Sequence, residues 1–215
     1  MFPRSRFPRS GEAAGEAPAA TYRQVRASFD DRTITVYQAY APAIARPAVQ
    51  AGRFVPPFRR DRMTWIKPSF RWMLYRSGWA IKPGQEHVLA IRISRRGFEW
   101  ALAHSCLSHA EPAEHADERQ WREQLLASPV RVQWDPERSL TLAPLAHRAI
   151  QVGLSGAALE RYVDEWTEQI IDVTPLARRI RDLVREGDPA AAGLLPAERP
   201  YPLPAEIAER IAATE

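Results

Sequence analysis

The sequence predicts an α+β fold, with a mixed or mainly antiparallel sheet flanked by helices. Three observations carry this expectation. Short β-branched and aromatic segments are interspersed with capped, helix-periodic segments, without the strict strand–helix–strand repeat of a doubly wound sheet. Hydrophobic residues make up 45% of the 215 positions, enough for one sizeable core. No apolar run reaches the roughly 18 residues a membrane-spanning helix needs, so no membrane partner is expected.

Residues 1–20 repeat FPRS at 2–5 and 7–10 and continue mostly in Gly, Ala, Glu and Pro. They read as a disordered tail, with basic residues but no apolar stretch of the kind a secretory signal needs. A single domain is expected over 21–187, then a Pro/Ala-rich extension with a short helix over 188–215. Thr33–Tyr40, TITVYQAY, is a strand by its β-branched and aromatic content. Pro42 opens a helix that Gly52 stops. Met63–Lys67 is a short strand ending at Pro68; Ser69 then caps a two-turn helix over Phe70–Ser77, and Gly78 closes it. Trp65, Trp72 and Trp79 are spaced seven apart, but Pro68 divides the first from the second, so they form no single helical stripe.

Glu86–Ile93 is a strand, and Gly97 starts a helix running to about Leu107. A loop over 108–116 leads to a helix that Asp117 caps and that ends near Ala127. Val130–Trp134 and Ser139–Leu142 read as two strands joined by a DPER turn, followed by a strand at Ala149–Val152. Ser155 caps a helix to about Gln169, Ile170–Val173 is a short strand, and Thr174-Pro175 opens a helix ending at Gly187. A terminal helix starts at Ala205.

Twenty-eight of the 30 basic residues are arginines, as a GC-rich coding background would produce. The two lysines, Lys67 and Lys82, fall in one aromatic block; Lys82 precedes Pro83 and Gly84 and reads as a turn residue. Between Arg53 and Lys82 eight cationic side chains face Asp61 alone. A field of that sign attracts phosphate, on a nucleotide or on a nucleic acid. The single cysteine, Cys106, excludes an internal disulfide and fits the cytoplasm.

Four constellations could carry chemistry. In the first, Trp65 and Tyr75 offer faces for stacking, Lys67, Arg71 and Arg76 offer cations, and Ser69 stands at a helix N-terminus that suits a phosphate or carboxylate. Phe70, Met73 and Leu74 read as core beside them. In the second, Gln38 and Tyr40 share a face of their strand, with Tyr37 on the other. In the third, Glu137 is a candidate catalytic carboxylate at the DPER turn, where Asp135 is expected to cap the backbone. The fourth, His104, Cys106, His109 and His115, has no standard zinc spacing, and no metal is expected. Phosphate-loop, dinucleotide-fingerprint, serine-hydrolase and zinc-protease motifs do not occur.

The strings YRQVRASFDDRTITVYQAY, MTWIKPSFRWMLYRSGW, VQWDPER and IQVGL resemble a bacterial and fungal family, domain-of-unknown-function family 4291, over about Tyr22–Pro204. More distantly, YQAYAPAIARPAVQAGRF followed by WIKPSFRWMLYRS is similar to the front half of ADP-ribosyltransferases that modify nucleic acids. That resemblance implies NAD as cofactor, bound by the strand–Pro–Ser–helix block. It also implies a catalytic glutamate on a late strand; AIQVGL has Gln151 at the comparable place, which leaves Glu137 as the substitute. The expected function is therefore an NAD-binding, ADP-ribosyltransferase-like protein. The alternative is a non-catalytic nucleic-acid-binding module using residues 53–82.

Overall fold

The computed structural model describes residues 21–109 and 118–214. The expected tail over 1–20, Asp117 and His115 lie outside them. Among the described residues, nine strands form three open sheets. β1 (Arg26–Ala27) pairs with β9 (Arg199–Pro200). β2 (Thr33–Tyr40), β4 (His87–Ser94) and β8 (Thr167–Asp172) form a second sheet in that order. β3 (Thr64–Ile66), β7 (Pro144–Leu154), β6 (Val130–Arg138) and β5 (Ser105–Leu107) form the third. Of the paired strands, β5 and β6 run parallel and the others antiparallel, so the α+β class holds.

Both faces of β2 are buried, so its apolar residues do not simply alternate with polar ones, and Thr33 and Gln38 are buried with them. Ile34, Val36 and Tyr40 enter the larger core with Leu89, Ile91 and Ile93 of β4. Tyr37 points the other way, into a second core under α2 (Phe70–Ser77) and α6 (Thr174–Glu186). α6 contributes Ala177, Ile180 and Leu183 at three-residue spacing, one helical stripe. α2 is built as its sequence predicts. Ser69 Oγ accepts the Trp72 N–H at 3.1 Å, and Gly78 closes the helix at φ 56°, a left-handed conformation that glycine adopts without a Cβ penalty. Beyond Asp188 the chain packs onto the larger core through Tyr201, Ile207 and Ile211.

Three local expectations are corrected. The helix α3 (Arg95–Ala103) begins after Ser94, which caps it, and stops before Cys106, which lies on β5. Asp135, Pro136, Glu137 and Arg138 are not a turn: β6 runs straight through them, and the chain reverses over Ser139–Ala143. Proline is tolerated there because β5 covers only Val130–Val132, so this end of β6 is an edge, and the register shifts between Pro136 and Arg138. The helix after Ser155 is short. α5 (Gly156–Arg161) passes into a π-helical turn over Tyr162–Trp166, and β8 already begins at Thr167, where Thr167 Oγ1 donates to the Tyr162 carbonyl at 2.7 Å.

Trp166 closes that turn against Gly97 of α3. A Cβ on Gly97 would fall 2.3 Å from Trp166 Cγ, a separation no packing tolerates. Gly97→Ala is therefore expected to destabilise the protein by about 1–3 kcal/mol through overpacking, read as a lower urea midpoint in equilibrium unfolding.

Candidate functional site

The second and third sheets meet at one point. The Tyr37 N–H donates to the Lys67 carbonyl at 2.7 Å and the Lys67 N–H donates to the Tyr37 carbonyl at 3.2 Å, one residue beyond the end of β3. Gln38 reinforces the junction from the next position. Its Nε2 donates to Thr64 Oγ1 at 2.7 Å and to the Trp65 carbonyl at 3.1 Å, while its Oε1 accepts the Tyr162 hydroxyl at 2.8 Å. A buried amide so fully engaged holds two strands together and has little capacity left for a ligand.

Beside the junction opens a cleft of about 470 Å³. Five of the predicted binding residues line it: Gln38, Tyr40, Trp65, Lys67 and Arg76. Arg62, exposed at the rim, was missed because it lies in a run of arginines that the composition already explains. Tyr40 is a wall rather than a stacking platform. Its ring packs edge-on against Phe54 and Phe58, and its hydroxyl bonds Thr64 Oγ1 at 3.0 Å. Burial holds that phenol protonated. Trp65 is only half-buried. It pairs with Gly153 of β7, and a Cβ there would come within 3.0 Å of the indole, so the ring is seated on bare backbone.

Lys67 is 7% exposed although it lines the cleft. Its Nζ donates to the Trp65 carbonyl at 3.0 Å and stands 5.4 Å from the Trp72 ring centroid. Burial lowers its pKa to about 7; Arg76 pushes it the same way and Asp135 opposes. Continuing the β3–β7 register by one residue sets Lys67 across from Gln151, and Gln151 pairs in turn with Gln133 of β6. Gln151 Nε2 donates to Asp135 Oδ2 at 2.5 Å and Gln133 Nε2 to Asp135 Oδ1 at 2.9 Å. Asp135 is thus a carboxylate held by two neutral amides within electrostatic range of Lys67, instead of the turn cap its sequence context suggests.

The remaining predicted residues lie elsewhere. On α2, Met73 and Arg76 face the cleft, whereas Arg71 and Tyr75 do not line it. Tyr75 instead stacks under the Arg138 guanidinium at 3.6 Å. Ser69 and Glu137 share a separate hollow of about 10 Å³, room for a single water. Glu137 is 3% exposed, and its Oε1 accepts the Arg138 N–H at 2.7 Å. The helix N-terminus expected to receive a ligand anion already has one from the chain itself: the Phe70 N–H donates to Glu198 Oε1 at 2.7 Å. Glu198 has no local sequence signal, because its partner is 128 residues away. Burial raises its pKa to about 7; the Phe70 hydrogen bond pulls it down and Glu137 pushes it up again.

His104 stacks on Trp100 at 3.9 Å, Cys106 is buried on β5, and His109 lines a different hollow with Asp135 and Arg148. A further hollow, of about 550 Å³, flanks the start of β2, but its Asp30 is already saturated by Arg92, Thr33 and the Arg32 and Thr33 amides. No helix among the described residues is long and apolar enough to cross a membrane.

Fold and site together define an α+β protein whose two larger sheets meet at a lysine-bearing corner beside an open cleft. The chain belongs to the family described as Domain of unknown function (DUF4291), whose sequence model matches residues 24–201. That span contains both sheets, every cleft residue named above and Glu198. No curated protein matches the chain.

The half-buried Glu198 carboxyl makes a pH-dependent prediction. Glu198 titrates near 4.5 when unfolded and near 7 when folded, so the folded state keeps a proton that the unfolded state releases between those values. Its contribution to stability is complete below pH 4.5 and is lost as pH rises through 7. Glu198→Gln keeps an acceptor for the Phe70 N–H and removes the titration. Measured by urea unfolding, its stability relative to the wild type should rise by about 1–3 kcal/mol from pH 4.5 to 7.5.

Proposed function

We propose that the cleft binds a nucleotide, with NAD the first candidate, and that the protein is ADP-ribosyltransferase-like. The observation that carries this is the company Trp65 keeps: a half-buried indole beside Arg62, Lys67 and Arg76 in one cleft. Indole faces stack on bases or nicotinamide, and guanidinium groups take phosphate oxygens in pairs. Transfer of ADP-ribose breaks the bond between nicotinamide and the ribose, and the cation developing on the ribose needs a carboxylate nearby. Asp135 is suited to that role: Gln133 and Gln151 hold it, and it lies within electrostatic range of Lys67. Neither carboxylate is among the cleft's lining residues: Asp135 borders the hollow beside His109 and acts on the cleft through Lys67, whereas Glu137 is enclosed with Ser69. Cys106, a free thiol, accords with work in the cytoplasm.

A nucleic-acid interface along Arg53–Lys82 has less to draw on. Arg59 is paired with Asp61 and Arg60 with Asp164, and Lys67 is buried, so the segment's field is weaker than its composition implies.

Calorimetry with NAD and ADP-ribose tests the binding. Replacing Arg62 and Arg76 by alanine should weaken it at least tenfold, since each charge-assisted hydrogen bond contributes about 1.5–3 kcal/mol. Phosphate favours the charged lysine, so binding takes up a proton, and affinity falls as pH rises through about 7. Lys67→Met should remove that dependence. Asp135→Asn should keep NAD binding and abolish nicotinamide release. Wild-type protein that releases no nicotinamide, with or without nucleic acid, overturns the transfer reaction; failure to bind either nucleotide overturns the whole proposal.

A further inference from the structure

The chain contains two lysines in very different settings. Lys82 is exposed in the turn after α2, whereas Lys67 is almost wholly buried yet borders the cleft. Among the described residues no carboxylate pairs directly with Lys67; its Nζ meets the Trp65 carbonyl and the Trp72 indole face. A neutral amine fits this surrounding better than an ammonium does. It gives one N–H to the Trp65 carbonyl, while its lone pair stays available. An ammonium would lose much of its hydration at a position so nearly enclosed, which the indole face offsets only in part.

We infer that Lys67 is a reactive amine, and that it forms an imine with a phosphate-bearing aldehyde seated in the cleft, whose phosphate lies toward Arg62 and Arg76. The Nζ lone pair bonds to the carbonyl carbon, and the carbonyl oxygen leaves as water with the two protons the amine gives up. No oxidant, reductant or metal is needed. The charged groups acting on Nζ are Arg76 of α2, which favours the neutral amine, and Asp135 of β6, which opposes it; burial decides the balance and brings the titration to about 7. This goes beyond nucleotide binding and does not depend on it, because the reacting group is an aldehyde.

The test uses the full chain, pyridoxal 5′-phosphate as probe and borohydride, which adds hydride to the imine carbon and fixes it as a secondary amine. Peptide mass mapping at pH 7 should find Lys67 labelled more than about tenfold over Lys82, with the rate half-maximal near pH 7. Pyridoxal without phosphate should label Lys67 more slowly, and Arg76→Ala should erase that advantage. Lys67→Arg should drop the label to background, and Lys82→Arg should leave it unchanged. Labelling of Lys82 or of the chain's N-terminal amine at equal or higher rate overturns the inference. So does labelling of Lys67 only after denaturation in guanidinium.

Discussion

The paired backbone hydrogen bonds between Tyr37 and Lys67 are the constraint on which the rest of the site depends. They join two sheets that otherwise have separate strand orders, and they do so where β3 has just ended and Pro68 forbids its continuation. The same two residues then serve different regions with their side chains. Tyr37 packs on Phe70 in the second core, and Lys67 reaches the cleft wall. Gln38 completes the corner with three hydrogen bonds to β3 and Tyr162. Because a buried amide left unmatched costs about 1–3 kcal/mol, this clamp also selects the spacing of the sheets.

Around that corner the chain satisfies most of its own charges. Glu198 occupies the N-terminus of α2, Glu137 is enclosed beside Ser69, and Arg59 and Arg60 are paired at the surface. The cleft differs from these places. Arg62 is exposed there, Arg76 makes a 3.3 Å contact to Gln85, and burial lowers the Lys67 pKa to about 7. Cations beside a half-buried indole are the feature on which the proposed nucleotide binding rests.

Much of the local structure was readable in the sequence, since it rests on near-neighbour chemistry. Ser69 and Gly78 bound α2, Pro42 and Gly52 bound α1 (Pro42–Ala51), and TITVYQAY is β2. What escaped depends on distant partners. Asp135-Pro136 looks like a turn until β5 is seen to stop at Val132's level, leaving an edge where proline fits. Which face of α2 meets the cleft could not be read from eight residues with apolar side chains nearly all round. Glu198 sits in a proline-rich stretch and finds α2 only through the pairing of β9 with β1. Lys67 stood out because lysine is so rare here, but its burial, which sets its chemistry, required the fold.

Hydrogen exchange tests most directly whether the corner and its cleft act as one binding element. Amides of Tyr37–Tyr40 and Thr64–Lys67 should gain protection when NAD or ADP-ribose is added, while those flanking Asp30 and Arg92 remain unchanged. Protection confined to Arg53–Arg60, or absent throughout the corner while ligand is bound, would contradict the account.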